Sequence, residues 1–154
     1  MKLPQTVGEV MTRDVVAIHP NDGLEHLQSG MERYRFRHLP VVVGGMLVGL
    51  VTHTDIMRLL ATPLANDHAQ RDAWIHSNFK VATVMSKGVR TASEDMPLRE
   101  AAKVLFEQKL GCLPVVASNQ QLVGIITEAD FVRLYMDLSA PEAPSVWATD
   151  KPAS

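Results

Sequence analysis

Cysteine is nearly missing: Cys112 is the one thiol in 154 residues. A lone thiol excludes an intrachain disulfide framework and any zinc cluster built on cysteines. Basic excess is missing too, since 15 lysines and arginines face 17 acids for a net charge of −2. Aromatics are only 5% of the chain. Nothing therefore favours a phosphate backbone or a base-stacking surface, and nucleic-acid binding is not expected. The longest apolar runs, 39–43 and 47–51, are strand-sized and cannot span a bilayer. The first residues also lack the apolar core of a signal peptide, so a soluble cytoplasmic protein without a membrane role is expected. There is no Walker loop, no nucleophile–base set and no paired carboxylate in a recognisable context. The six histidines (His19, His26, His38, His53, His68, His76) show no metal-ligand spacing. An enzyme is not expected, nor a required cofactor or metal.

What the chain does contain is a repeat. Gly49-Leu50-Val51-Thr52-His53-Thr54-Asp55 returns as Gly124-Ile125-Ile126-Thr127-Glu128-Ala129-Asp130. In both copies Leu-Val precedes the stretch and an arginine and a leucine follow it: Arg58-Leu59 and Arg133-Leu134. Val10-Met11-Thr12-Arg13 aligns with Val84-Met85-Ser86-Lys87, and Leu39-Pro40-Val41-Val42 with Leu113-Pro114-Val115-Val116. The offset of 74 becomes 75 across Gly44-Gly45 versus Ser118-Asn119-Gln120, where a hairpin turn tolerates an extra residue. A fixed repeat of this length decides the architecture before any local reading.

Each copy reads as β-α-β-β-α. A short strand is expected at 15–18 and 89–92, then Asn21 and Asp95 as N-caps. The following helices carry their apolar residues on one face: Leu24, Leu27 and Met31, then Leu98, Ala101, Ala102 and Leu105. Two β-branched strands come next, 39–43 with 47–51 and 113–117 with 122–126. A second helix starts near Thr52 or Thr127 and runs to about Leu60 or Met136. One such unit covers a single face of its small sheet, so two copies are expected to pack as one pseudo-two-fold α+β globule. The divisions are 6–60, 61–80 as a linker with a helix over 66–76, 81–136, and a mobile tail over 137–154. Met11 and Met85 read as core filling, and Cys112 as a small packed hydrophobe.

Taken in order and twice over, Val-Met-Thr-x-x-Val, Leu-Pro-Val-Val and Gly-h-h-Thr-x-x-Asp resemble the CBS domain, which usually occurs as a tandem pair, the Bateman module. The resemblance implies a stand-alone regulatory pair, commonly a homodimer, that takes an adenosine-containing ligand between its repeats: AMP, ADP, ATP, S-adenosylmethionine or NAD. By resemblance Asp55 and Asp130 hold the ribose hydroxyls and Thr52 and Thr127 lie beside the phosphate. A carboxylate accepts from two hydroxyls, and a threonine opening a helix adds its hydroxyl to free N–H groups. The residues before Leu-Pro face phosphates in the family. They are Arg37 and His38 in one copy but Gly111 and Cys112 in the other, so phosphate affinity is expected to rest on the first pair. Arg35 and Lys109 are less well placed. His53, Arg58 and Arg133 are further ligand-side candidates, and Val7–Glu9, Arg13, Val81–Thr83 and Lys87 are candidates for the adenine pocket. Against this stands a purely structural reading, in which Thr-x-x-Asp is a capping box and the pair is a dimerisation or interaction module without a nucleotide.

Overall fold

The computed structural model describes residues 2–61 and 68–139. The elements are α1 (Leu24–Tyr34), β1 (His38–Val43), β2 (Met46–Thr52), α2 (His53–Leu60), α3 (His68–Asn78), α4 (Val81–Val84), α5 (Leu98–Gln108), β3 (Cys112–Val116), β4 (Leu122–Thr127) and α6 (Glu128–Leu138), preceded by a 3-10 turn over Val7–Glu9. β1 pairs with β2, and β3 with β4, as two antiparallel hairpins. The mixed helix-and-strand plan of two like halves is the one read from the repeat. Asp137 and Leu138 belong to α6, however, and not to the tail. Ser139 is its C-cap; residues 140–154, with Trp147, lie outside the described residues, as do Asn66 and Asp67 at the start of the expected linker helix.

Gly44 and Gly45, at φ 57° and 80°, close the first hairpin between Val43 and Met46. Two successive left-handed residues make the tight turn whose twist matches the strands. In both hairpins the register slips after the same valine, Val41 or Val115. That bulge leaves Gly49 opposite Val41 and Gly124 opposite Val115.

The short first strand of each half shrinks to one residue. Ile18 bridges Val41 and Ala92 bridges Val115, both in parallel. Proline is the physical reason. The Ile18 N–H donates to the Pro40 carbonyl at 3.0 Å, and the Val42 N–H to the Ile18 carbonyl at 2.8 Å. Extending the ladder back toward Val16 needs an N–H from Pro40, which has none. Pro114 imposes the same stop at Ala92.

Asn21 and Asp95 are not the N-caps; Gly23 and Pro97 are. The free N–H groups and carbonyls near these helix starts are met by tertiary partners instead. Leu98 N–H donates to the Gln5 carbonyl at 2.8 Å, and Val81 and Ala82 donate to Asp22 and Pro20 at 2.9 Å each. The leading segment of each repeat is therefore laid along the other half. Val7 and Met11 are buried with Ala92, Leu98, Ala101, Leu105, Leu113, Val115 and Ile126. Val81, with Ile75 of α3, is buried with Leu24, Leu27, Met31, Leu39, Val41, Val51 and Ile56. Each half thus borrows apolar side chains worth about 1.5–3 kcal/mol apiece when buried.

Two glycines permit this exchange. Thr12 bridges Ile125 and Ser86 bridges Leu50, so the leading segments run against β4 and β2. A Cβ on Gly124 would stand 2.6 Å from Met11 Sδ and 2.9 Å from the Thr12 carbonyl oxygen; one on Gly49 would stand 2.7 Å from Met85 Sδ. By contrast, a Cβ on Gly30, inside α1, meets nothing within 4 Å. Gly124→Ala is predicted to destabilise by about 1–3 kcal/mol through overpacking, and Gly30→Ala to stabilise by about 0.5–1 kcal/mol through helix propensity. Urea denaturation of the two variants gives the signs; equal effects would contradict the close approach at Gly124.

Candidate functional site

Both Thr-x-x-Asp motifs sit where a strand runs into a helix, with the threonine as N-cap and the aspartate at the third helical position. In the first half, Asp55 Oδ2 accepts the Thr52 N–H at 2.8 Å, and the Asp55 N–H donates to Thr52 Oγ1 at 3.2 Å. In the second, Asp130 Oδ2 accepts the Thr127 N–H at 2.8 Å and its hydroxyl at 3.2 Å. The capping role is thus fully realised. The two carboxylates differ in access. Asp130 is only 5% exposed and draws Arg133 Nη1 to 3.6 Å, whereas Asp55 is half-buried.

The start of α2 opens onto a basic cleft of about 370 Å³ lined by Met31, Arg35, Phe36, Arg37 and His53. The His53 N–H donates to the Arg37 carbonyl at 2.9 Å, which ties the two residues together. Arg35 is the C-cap of α1 in the left-handed region, φ 56°. A non-glycine residue pays about 1 kcal/mol for that backbone. Spacing ranks Arg35 below Arg37, yet the left-handed turn puts both in the same cleft.

Phe36 also walls a second, apolar cleft of about 340 Å³, shared with Val16, Ile18, Leu27, Leu39 and Val81. Of the adenine-pocket candidates, only Val81 is there. Val7 is in the core of the second half. Arg13 pairs with Glu94 at 3.2 Å and donates to the Gly8 carbonyl at 3.1 Å. The Glu9 carboxylate is taken up by the Gln5 and Thr6 N–H groups, which hold its pKa below the usual value. Phe36, Val16 and Ile18 carry no motif signature; they become legible only once the parallel bridge at Ile18 brings that segment beside β1.

His38 is placed apart from the basic cleft, at the junction of the halves. Its imidazole packs on Gly111, where a Cβ would collide with the ring. Burial, the largest influence, lowers its pKa from the ordinary value; Glu128 opposes the shift and Arg37 adds to it. Cys112, the counterpart of His38, is buried, and burial pushes its thiol up to about 12, so it is no nucleophile at neutral pH. A wider cleft of about 630 Å³ lies at the far end of β3, but its charged lining residues are Glu94 and Asp95, the wrong sign for a phosphate. Among the described residues no cluster of His, Cys, Asp and Glu could hold a metal ion, and no helix is long and apolar enough to cross a membrane.

Comparison with known proteins decides the family: the model of the CBS domain matches residues 7–62 and again 81–137. The chain belongs to the CBS domain family. Protein MJ1225 of Methanocaldococcus jannaschii is 35% identical over 132 residues, covering 85% of this chain and 47% of MJ1225. Its crystal structure superposes with a TM-score of 0.76 at 34% identity, over 88% of this chain and 49% of the other. Inosine-5′-monophosphate dehydrogenase of the same organism is 32% identical over 126 residues, 81% of this chain and 22% of that protein. The crystallised CBS domain pair of protein MJ0100, in complex with 5′-methylthioadenosine and S-adenosyl-L-methionine, gives a TM-score of 0.73 at 26% identity, over 88% of this chain and 99% of that one. This CBS pair spans about half the length of MJ1225 and less of the enzymes it matches.

The lowered pKa of His38 carries a pH prediction. A histidine held neutral by the fold contributes stability above its unfolded pKa, about 6.5, and that contribution is lost as pH falls through the lower folded value. Thermal melts between pH 7 and pH 5 should show a stability loss that His38→Gln reduces. An unchanged pH slope in the variant would contradict the neutral, packed imidazole.

Proposed function

We propose that this CBS pair is a regulatory module that binds an adenosine-containing ligand in its first half. The carrying observation is that an apolar cleft and a basic cleft share the Phe36 wall beside the capped start of α2. Val16, Ile18, Leu27 and Val81 offer the base an apolar slot. Arg35 and Arg37 offer phosphates or a carboxylate their counter-charge and His53 a ring N–H, with the positive end of α2 behind them. Asp55 keeps lone pairs for ribose hydroxyls while one oxygen holds the Thr52 N–H. Support comes from the MJ0100 pair, which carries 5′-methylthioadenosine and S-adenosylmethionine. Binding, not turnover, is the activity, and signalling requires the ligand to favour one of two states.

One observation favours the structural reading for the second half alone. Asp130 is buried and committed to Thr127 and Arg133, so there the motif serves first as a cap and ion pair.

Calorimetric titration with AMP, ADP, ATP, S-adenosylmethionine and NAD tests the reading. Saturable binding of one of them is expected. For AMP, Arg37→Ala should weaken binding by about tenfold or more, with adenosine little affected. Asp55→Asn keeps an acceptor for the Thr52 N–H and should weaken both ligands. Comparable AMP and adenosine affinities, untouched by Arg37→Ala, would sink the basic cleft as a phosphate site.

The reading includes a homodimer. α5 and α6 expose Phe106 (85%), Tyr135 (72%), Met136 (64%) and Val132 (60%), an apolar helical face of the kind that marks an interaction surface. MJ1225, of which this pair matches half, has length for a second such unit in one chain. Light scattering should find a dimer that Tyr135→Glu converts to monomer; a wild-type monomer at micromolar concentration would remove the dimer from the reading.

A further inference from the structure

Leu27 and Gly30 stand three residues apart on α1, on the helix face that borders the apolar cleft of about 340 Å³. Leu27 belongs to the first core and is 3% exposed. Gly30 brings only backbone to the cleft wall, and a Cβ there would meet nothing within 4 Å. Its backbone is not left-handed, so neither a turn nor a close approach requires a glycine at residue 30. Inside a helix the residue is a cost to stability, because it loses more backbone freedom than any other.

The second half answers the same position with a side chain. α1 and α5 align at the offset of 74, from Leu24 with Leu98 to the left-handed C-caps Arg35 and Lys109. Val104 is therefore the counterpart of Gly30, as Ala101 is of Leu27. Val104, Met96 and Leu110 stand for Gly30, Asp22 and Phe36, and all three pack against the second core. Where that half packs aliphatic carbon, the first leaves a cleft walled by Ile18, Leu27, Phe36 and Leu39. A flat, weakly polar ring suits such a slot, since it buries a large apolar area at a small cost in freedom.

Resting on the nucleotide reading above, we infer that Gly30 is the specificity-determining residue of the base slot: its missing side chain leaves the room that the ligand's base occupies. Valine, which the counterpart position carries, would put three carbons into that room. Calorimetry with AMP and with adenosine tests this on Gly30→Val, Gly30→Ala and Ser29→Val, the last an exposed neighbour on the same helix. Gly30→Val should weaken both ligands by about tenfold or more, in the same proportion, because the phosphate end is untouched. Gly30→Ala should weaken both by a smaller factor, and Ser29→Val should bind as the wild type. Both Gly30 variants should melt at or above the wild-type temperature; should Gly30→Val fail to fold, Gly30→Ala decides alone. Folded Gly30 variants that bind as the wild type would overturn the inference and leave the nucleotide reading standing. So would an equal loss in Ser29→Val, or a loss confined to AMP. A wild type that binds neither AMP nor adenosine would overturn both.

Discussion

The structure depends on one exchange: the leading segment of each repeat is buried in the other repeat's half. Val7 and Met11 complete one core and Val81 the other, while Thr12 and Ser86 extend β4 and β2 across the divide. A two-stranded hairpin with two helices is too small to bury its own apolar face at a useful stability. Borrowing a segment solves that for both halves at once and makes them cooperative, since neither core is whole without the other's chain. The sequence boundary between repeats and the physical boundary between cores therefore differ by a whole segment. The same exchange answers the helix starts: carbonyls and N–H groups near α1 and α5 find partners in the borrowed segments, so no side-chain cap is needed there.

That exchange also explains what was legible beforehand. The hairpins, the two helices of each repeat and the capping boxes follow from local chemistry: Gly44-Gly45, β-branched alternation, apolar residues on one helical face, and Thr-x-x-Asp. Asn21 and Asp95 misled because a tertiary partner had displaced the local cap. The first strands misled because their length is set by the missing N–H of Pro40 and Pro114, residues in a different element. At the candidate site, the polar members were readable as motif positions. Phe36, Val16 and Ile18 were not, because an apolar wall has no signature until its neighbours are known. Arg35 was undervalued for a related reason, since spacing along a chain does not reveal a left-handed turn that swings a side chain into a cleft.

The Thr-x-x-Asp motif shows why capping and ligand binding need not compete. The backbone N–H groups that a capping threonine and aspartate leave at a helix start are the same groups that favour an anion. A cap fixes the carboxylate's position through one oxygen and so preorganises it for hydroxyls at its remaining lone pairs. Access then separates the copies. Asp55 is half-buried beside a basic cleft; Asp130 is 5% exposed and shares its charge with Arg133. The motif is identical in both halves, and its surroundings decide what it can do.

A duplicated fold with a central axis makes such divergence coupled. The residues before the two Leu-Pro strands meet across the junction, so a bulky ring from one copy constrains what the other may carry. His38 occupies the space that a side chain at residue 111 would need, and Glu128 acts on that same ring across the junction. Restoring an arginine at 111 would require moving His38. The difference between the copies at this position is therefore held by packing across the junction. That is a physical reason for two copies of one motif to stand in unequal surroundings without any change in the fold that presents them.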